Sequence, residues 1–219
     1  MKREKTVIEN NNVWLTSDLH INHNKEFIYK ARGFNSIEEM NEAIVENWNS
    51  VVGKDDIVYC LGDVSMGETK KNNSLKLINQ LNGHIILIIG NHDTDNRLDL
   101  YRECRNIESI EYAFRFRKGK RTYWLSHYPT ITANSGKEKP VWCLSGHTHS
   151  KEKFDDNYYY NYNVGLDAHD MFPVSFSQVE KDIKEYMKNM AEANEDLLKP
   201  YLDMGEMLKT TLKELENMK

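Results

Sequence analysis

Ile85-Ile86-Leu87-Ile88-Ile89-Gly90-Asn91-His92-Asp93 is an aliphatic run that stops at a glycine and releases three polar residues. The run reads as a strand. Ahead of it, Leu75, Ile78 and Leu81 give Ser74 to Leu81 a helical face, which Asn82-Gly83 terminates. Further back, Ile57 to Leu61 is a second strand. Ile37 to Trp48 places Ile37, Met40, Ile44, Val45 and Trp48 on one helical face, with Ser36 as its N-cap. Val13-Trp14-Leu15 is the first strand. Strand, helix, strand, helix, strand is the signature of a parallel sheet with right-handed crossovers.

Beyond the polar stretch Asp93 to Arg105 the pattern changes. Ile107 to Phe116 and Thr122 to Leu125 flank Arg117-Lys118-Gly119-Lys120-Arg121, which predicts a β-hairpin with a basic tip. Val141 to Leu144 and Tyr158 to Val164 are further strands, so the second half is expected to be β-rich and largely antiparallel. From Ser177 onward the pattern is helical. Ile183, Met187, Met190, Asn194, Leu197 and Tyr201 begin a heptad seam that continues to Met218, interrupted by Pro200 and Gly205. This predicts a domain over residues 1–176 and a C-terminal helical extension over 177–219. The extension either packs on its own domain or makes a homodimer contact.

The polar residues sit where the strands end. Val13 to Ser17 is followed by Asp18-Leu19-His20, and Ile57 to Leu61 by Gly62-Asp63. Ile85 to Ile89 is followed by Gly90-Asn91-His92-Asp93, Tyr123 to Ser126 by His127, and Val141 to Ser145 by Gly146-His147-Thr148-His149. In open α/β sheets, sites assemble beyond the carboxyl ends of the strands. Glycines at 62, 90 and 146 let the backbone turn sharply there. Imidazole and carboxylate without thiolate suit manganese, iron, nickel or zinc. Asp18, His20, Asp63, Asn91, His127, His147 and His149 exceed the needs of one four-coordinate ion and fit two divalent metal ions. A cation pair ~3.5–4 Å apart clamps the oxygens of a phosphoryl displacement and activates a shared water.

Taken in order, Asp18-x-His20, Gly62-Asp63, Gly90-Asn91-His92-Asp93, His127 and Gly146-His147-x-His149 resemble the pattern of the calcineurin-like metallophosphoesterase superfamily. The resemblance covers roughly Val13 to Phe176. Asn47-Trp48-Asn49-Ser50-Val51-Val52 is similar to text in short bacterial or phage-encoded members. It implies an α/β fold of two packed mixed β-sheets flanked by helices, an αββα sandwich. It also implies one metal position at Asp18, His20, Asp63 and His149, and a second at Asp63, Asn91, His127 and His147, with Asp63 bridging. His92 would face the substrate, as proton donor to the leaving group or as a stabiliser of phosphoryl charge, and Asp93 would orient His92. The implied activity is hydrolysis of phosphomono- or phosphodiesters by a hydroxide held between two divalent cations.

Other residues carry two readings each. His23 and Arg32 could contact the substrate phosphate, Arg32 through its bidentate fork, or be exposed or salt-bridged loop residues. Tyr158, Tyr159, Tyr160 and Tyr162 could stack bases or alternate between core and surface. His84 and His169 suit structural roles. A formal net charge of -5 argues against a surface built to grip nucleic acid, so nucleic acid enters only as a substrate of a nuclease using the same chemistry. A non-catalytic protein-binding scaffold would be expected to lose ligands, and none is missing. Cys60, Cys104 and Cys143 suggest neither a disulfide framework nor a zinc site. Met1 to Asn10 has no apolar stretch, and the longest aliphatic run is Ile85 to Ile89, so no membrane span and a cytoplasmic location are expected.

Overall fold

Two mixed β-sheets with helices make an α/β fold, and the computed structural model describes residues 12–66, 71–130, 141–155 and 160–193 of it. β1 (Val13–Thr16), β2 (Ile57–Cys60), β3 (His84–Ile88) and β4 (Ile107–Glu111) pair in parallel in chain order. β9 (Val174–Ser175) joins antiparallel on the far side of β1. β5 (Phe114–Lys118), β6 (Arg121–Leu125), β7 (Val141–Ser145) and β8 (Asn161–Asn163) form the second sheet.

The strand–helix alternation of the first half is as the sequence predicts. After the single-turn α1 (Glu26–Tyr29), α2 (Ile37–Val51) starts where Ser36 Oγ accepts the Glu39 N–H at 3.1 Å, a cap that contributes about 1 kcal/mol. Its face Ile37, Met40, Ile44 and Trp48 is buried against one side of the first sheet, together with Val58, Cys60, Ile85 and Leu87. Tyr59, between Val58 and Cys60, points the other way. Its ring lies 5.2 Å from Phe114 of the second sheet, and Phe116 stacks on Tyr123 at 5.1 Å. Aromatic rings thus join the two sheets. α3 (Lys71–Ile78) sits a few residues earlier than the predicted helix. All three cysteines are buried and free.

Two expectations are corrected, and one helix is added. Ile107 to Phe116 is two strands, β4 and β5, which belong to different sheets. The chain crosses over at Tyr112, which is 84% exposed, and no Gly or Pro marks the break. The second half is not largely antiparallel: β6, β7 and β8 are parallel, and among the described residues only β5 and β6 form a hairpin in that sheet. The connections from Leu125 to Val141 and from Ser145 to Asn161 are longer than a hairpin needs; a crossover takes about a dozen residues. The polar stretch after Asp93 holds a helix, α4 (Asp95–Arg102), whose Leu98, Leu100 and Tyr101 are buried.

The chain forms two compact units, Met1–Gln178 and Val179–Lys219. Residues 176–193 are helical. Asn194 and the rest of the heptad seam lie outside the described residues, as do Tyr158 and Tyr159. Tyr162 is fully buried against Phe154, so it stacks no base. No helix among the described residues is long and apolar enough to cross a membrane.

Candidate metal centre

The parallel run of β6, β7 and β8 puts His127, His147 and His149 at strand ends of the same kind as Asp18, His20, Asp63 and Asn91. The two sheets meet there. Leu166 N–H donates to Ser17 O at 3.1 Å, His147 N–H to Asp18 Oδ2 at 2.9 Å, and His127 Nδ1 lies 2.7 Å from Leu61 O. Asp18, His20, Asp63, His147 and His149 all have positive φ, between 51° and 71°. Non-glycine residues adopt that conformation at a cost, and it persists where the surroundings impose it. Glycines permit the close approach. A Cβ on Gly146 would strike Ser17 Oγ and Asp18 Oδ2. One on Gly90 would meet Asp63 Oδ1 and lie 2.7 Å from Asp63 N.

Asp63 is 1% exposed. Its Oδ1 accepts the His92 backbone N–H at 2.8 Å, which leaves Oδ2 free. That oxygen stands 3.7 Å from His20 Nε2 and 3.6 Å from His127 Nε2. Burial pushes the Asp63 carboxyl above its usual range, against the opposing pull of His127 and the His92 N–H. An anion held there gains from any cation nearby.

Two imidazoles, His127 and His149, turn a lone pair inward. Leu61 O can only accept, so His127 carries its proton on Nδ1 and turns a bare Nε2 to Asn91 Oδ1 at 2.8 Å. His147 Nδ1 meets the same Asn91 oxygen at 2.9 Å. His149 Nδ1 lies 2.8 Å from Asp167 Oδ2, and its Nε2 is 3.1 Å from His20 Nε2 and 3.9 Å from Asp18 Oδ1. Asp18 Oδ1 is buried without a hydrogen-bond partner. Burial, then the neighbouring His149, Arg32, His23 and His92, pushes His20 down to about 2, so its ring is neutral, the form that ligates metals. The hydrogen bond to Asp167 raises His149 instead. Among the described residues, Asp18, His20 and His149 bring donor atoms within 4.8 Å of one another, and so do Asp18, Asp63 and His127. Inward lone pairs, an orphaned carboxylate oxygen and an all-nitrogen-and-oxygen donor set fit divalent cations.

The hydrogen bonds give Asp93 partners other than His92 and give Arg32 the second of its two readings, the salt-bridged one. Asp93 does not orient the His92 ring. Its Oδ2 accepts Asp63 N–H and Gly90 N–H, both at 2.8 Å, while Oδ1 accepts Tyr101 Oη–H at 2.9 Å and Val64 N–H at 3.3 Å. Four donors fill the carboxylate's capacity, so Asp93 clamps the β2 loop to the β3 loop. Arg32 is not free for a substrate phosphate. Its side chain is 3% exposed, and its guanidinium grips Asp167 bidentately at 2.9 and 2.8 Å. The same group donates to Asp18 O at 2.7 Å and Leu19 O at 3.1 Å.

His23 stays beside the site, its Nδ1 3.1 Å from His20 Nδ1. The His92 ring lies 5.6 Å from the His20 ring. His84 pairs with Glu108 at 2.7 Å and His169 Nε2 lies 2.9 Å from Asn163 O, both structural. Asp167 went unnoticed in the sequence, although Tyr162-Asn163-Val164-Gly165 followed by Asp167 repeats the pattern of strand, glycine and carboxylate that marks Asp63.

Comparison with known proteins places this geometry. The family model described as calcineurin-like phosphoesterase matches residues 12–199. An uncharacterised protein of Methanocaldococcus jannaschii is 32% identical over 178 residues, 79% of this chain and 92% of that protein. The gene 66 protein of Mycobacterium phage L5 is 33% identical over 165 residues, 64% of this chain and 78% of that protein. A solved structure of a protein of unknown function from Aquifex aeolicus shares the fold, with a TM-score of 0.59 and 22% identity. That likeness covers 77% of this chain and 97% of the other. With two mixed sheets, donors gathered at their carboxyl ends and the family pattern running through nearly the whole first unit, the chain belongs to the calcineurin-like phosphoesterase family.

Proposed function

We propose that this protein hydrolyses phosphate mono- or diesters with two divalent cations, manganese, iron, nickel or zinc, held in its His/Asp/Asn cluster. One position takes Asp18, His20, Asp63 and His149. The other takes Asp63, Asn91, His127 and His147. The observation that carries the reading is Asp63 Oδ2, the one free oxygen of a buried carboxylate, nearly equidistant from His20 Nε2 and His127 Nε2. Asp18, the other buried carboxylate of the donor set, gives one oxygen to the His147 N–H and leans with the other toward His149.

When bound, such a pair supplies a water-derived nucleophile near neutral pH and offsets charge on the phosphoryl oxygens. The chain's own groups do the rest. His92 is held by its backbone, through its N–H to Asp63 Oδ1 and through Arg97 Nη1, which donates to its carbonyl. The ring is left at the rim, where it donates a proton to the leaving oxygen or steadies phosphoryl charge. His23, on the other side of His20, is a second group placed to touch the substrate. For the nuclease reading, the basic hairpin tip is of little help. It lies at the start of β6, whereas His127 follows the end of that strand.

The test is a hydrolysis screen after metal stripping. Nitrophenyl mono- and diesters, 2′,3′- and 3′,5′-cyclic nucleotides and single-stranded nucleic acid are compared, with Mn²⁺, Ni²⁺, Fe²⁺, Zn²⁺ and Mg²⁺ returned singly. Activity should vanish with chelation and return with a transition metal. Turnover that survives chelation would refute the proposal.

A further inference from the structure

Arg32 and Asp167 are too well buried and too fully engaged to be surface decoration. Asp167 lies in the short 3-10 turn Leu166–Ala168 that follows β8, and a parallel bridge from Ser17 to Gly165 ties that turn to β1. The Arg32 and Asp167 side chains are 3% and 13% exposed. Asp167 Oδ2 receives both Arg32 Nη2, at 2.8 Å, and the His149 ring at Nδ1, at 2.8 Å. We propose that Arg32 and Asp167 are a positioning pair for His149 that serves one of the two cation positions and leaves the other intact. This rests on the two-cation reading above.

The physical chain has three links. A carboxylate only accepts, so Asp167 fixes the His149 proton on Nδ1 and turns the bare Nε2 toward His20 and Asp18. Arg32 in turn fixes Asp167 through two parallel N–H bonds, which set the plane of the carboxylate as well as its charge. The same guanidinium holds the carbonyls of Asp18 and Leu19, at the turn where Asp18 has φ 59°. One buried cation therefore ties the backbone of a donor following β1 to the ring of a donor following β7. The other position has its own supports: His127 is fixed by Leu61 O, and Asn91 faces both His127 and His147.

Asp167→Leu keeps the volume but removes both acceptor oxygens. Arg32→Lys keeps the charge but loses the fork. Metal-free wild type and both variants are titrated with Mn²⁺ by calorimetry, and histidine tautomers are read from ¹⁵N–¹H spectra. Wild type should take up two equivalents. Each variant should bind one equivalent at wild-type strength and the second about 10–100-fold more weakly. In Asp167→Leu the Nδ1–H signature of His149 should be lost. Two equivalents at wild-type affinity in both variants, or equal weakening of both, would overturn the proposal. Retention of one equivalent at wild-type strength shows that a variant is folded. If wild type itself binds a single cation, the two-cation reading fails. The positioning pair is then judged by the tautomer alone, and an unchanged His149 signal in Asp167→Leu overturns it.

Discussion

Asp63→Asn is expected to weaken both cation positions together and to lower turnover by at least about 1,000-fold. Dinuclear activation supplies several kcal/mol of transition-state stabilisation, and each 1.36 kcal/mol is tenfold in rate. The amide keeps an oxygen for the His92 N–H, so the fold loses little. What changes is the other end. A neutral N–H₂ replaces the anionic oxygen that stands 3.7 Å from His20 Nε2 and 3.6 Å from His127 Nε2. Melting in chelator should therefore stay close to wild type, while metal uptake, measured by elemental analysis, falls at both positions. A variant that keeps full dinuclear occupancy would remove Asp63 from its bridging role.

His92→Ala should separate catalysis from metal binding. Metal content should be unchanged, because His92 contacts the site through its backbone N–H and carbonyl, which alanine retains. Turnover should drop by roughly 10²–10⁴, the usual contribution of a positioned acid. The loss should be greater for alkyl esters than for nitrophenyl esters, since a good leaving group needs no proton. Equal rates for wild type and variant on alkyl esters would take the ring out of the reaction.

How far the sequence could be read follows from what each signal encodes. Apolar runs ending in a glycine and a polar residue were enough to find β1, β2, β3, β6 and β7 and the donors beyond them, since strand ends and glycine turns are local events. Strand direction in the second sheet is not local. It depends on where the chain passes between Leu125 and Val141 and between Ser145 and Asn161, which alternation alone cannot show. The split at Tyr112 was equally hidden, because β4 and β5 together read as one continuous strand. Supporting residues were the least legible. Asp93 looked like a partner of its neighbour His92, yet folding gives it Asp63, Val64, Gly90 and Tyr101. Arg32 and Asp167 are far apart in sequence and meet only because β1 and the β8 turn are bridged. A residue type announces a ligand more readily than it announces what holds the ligand in place.

The central claim is that one buried carboxylate joins two cation positions at the meeting of two sheets. Anomalous scattering from a crystal grown with Mn²⁺ tests it most directly. The account predicts two manganese peaks about 3.5–4 Å apart, one on either side of Asp63 Oδ2, with His149 bound to the first and His127 to the second. A single peak, or a pair lying away from Asp63, would contradict it.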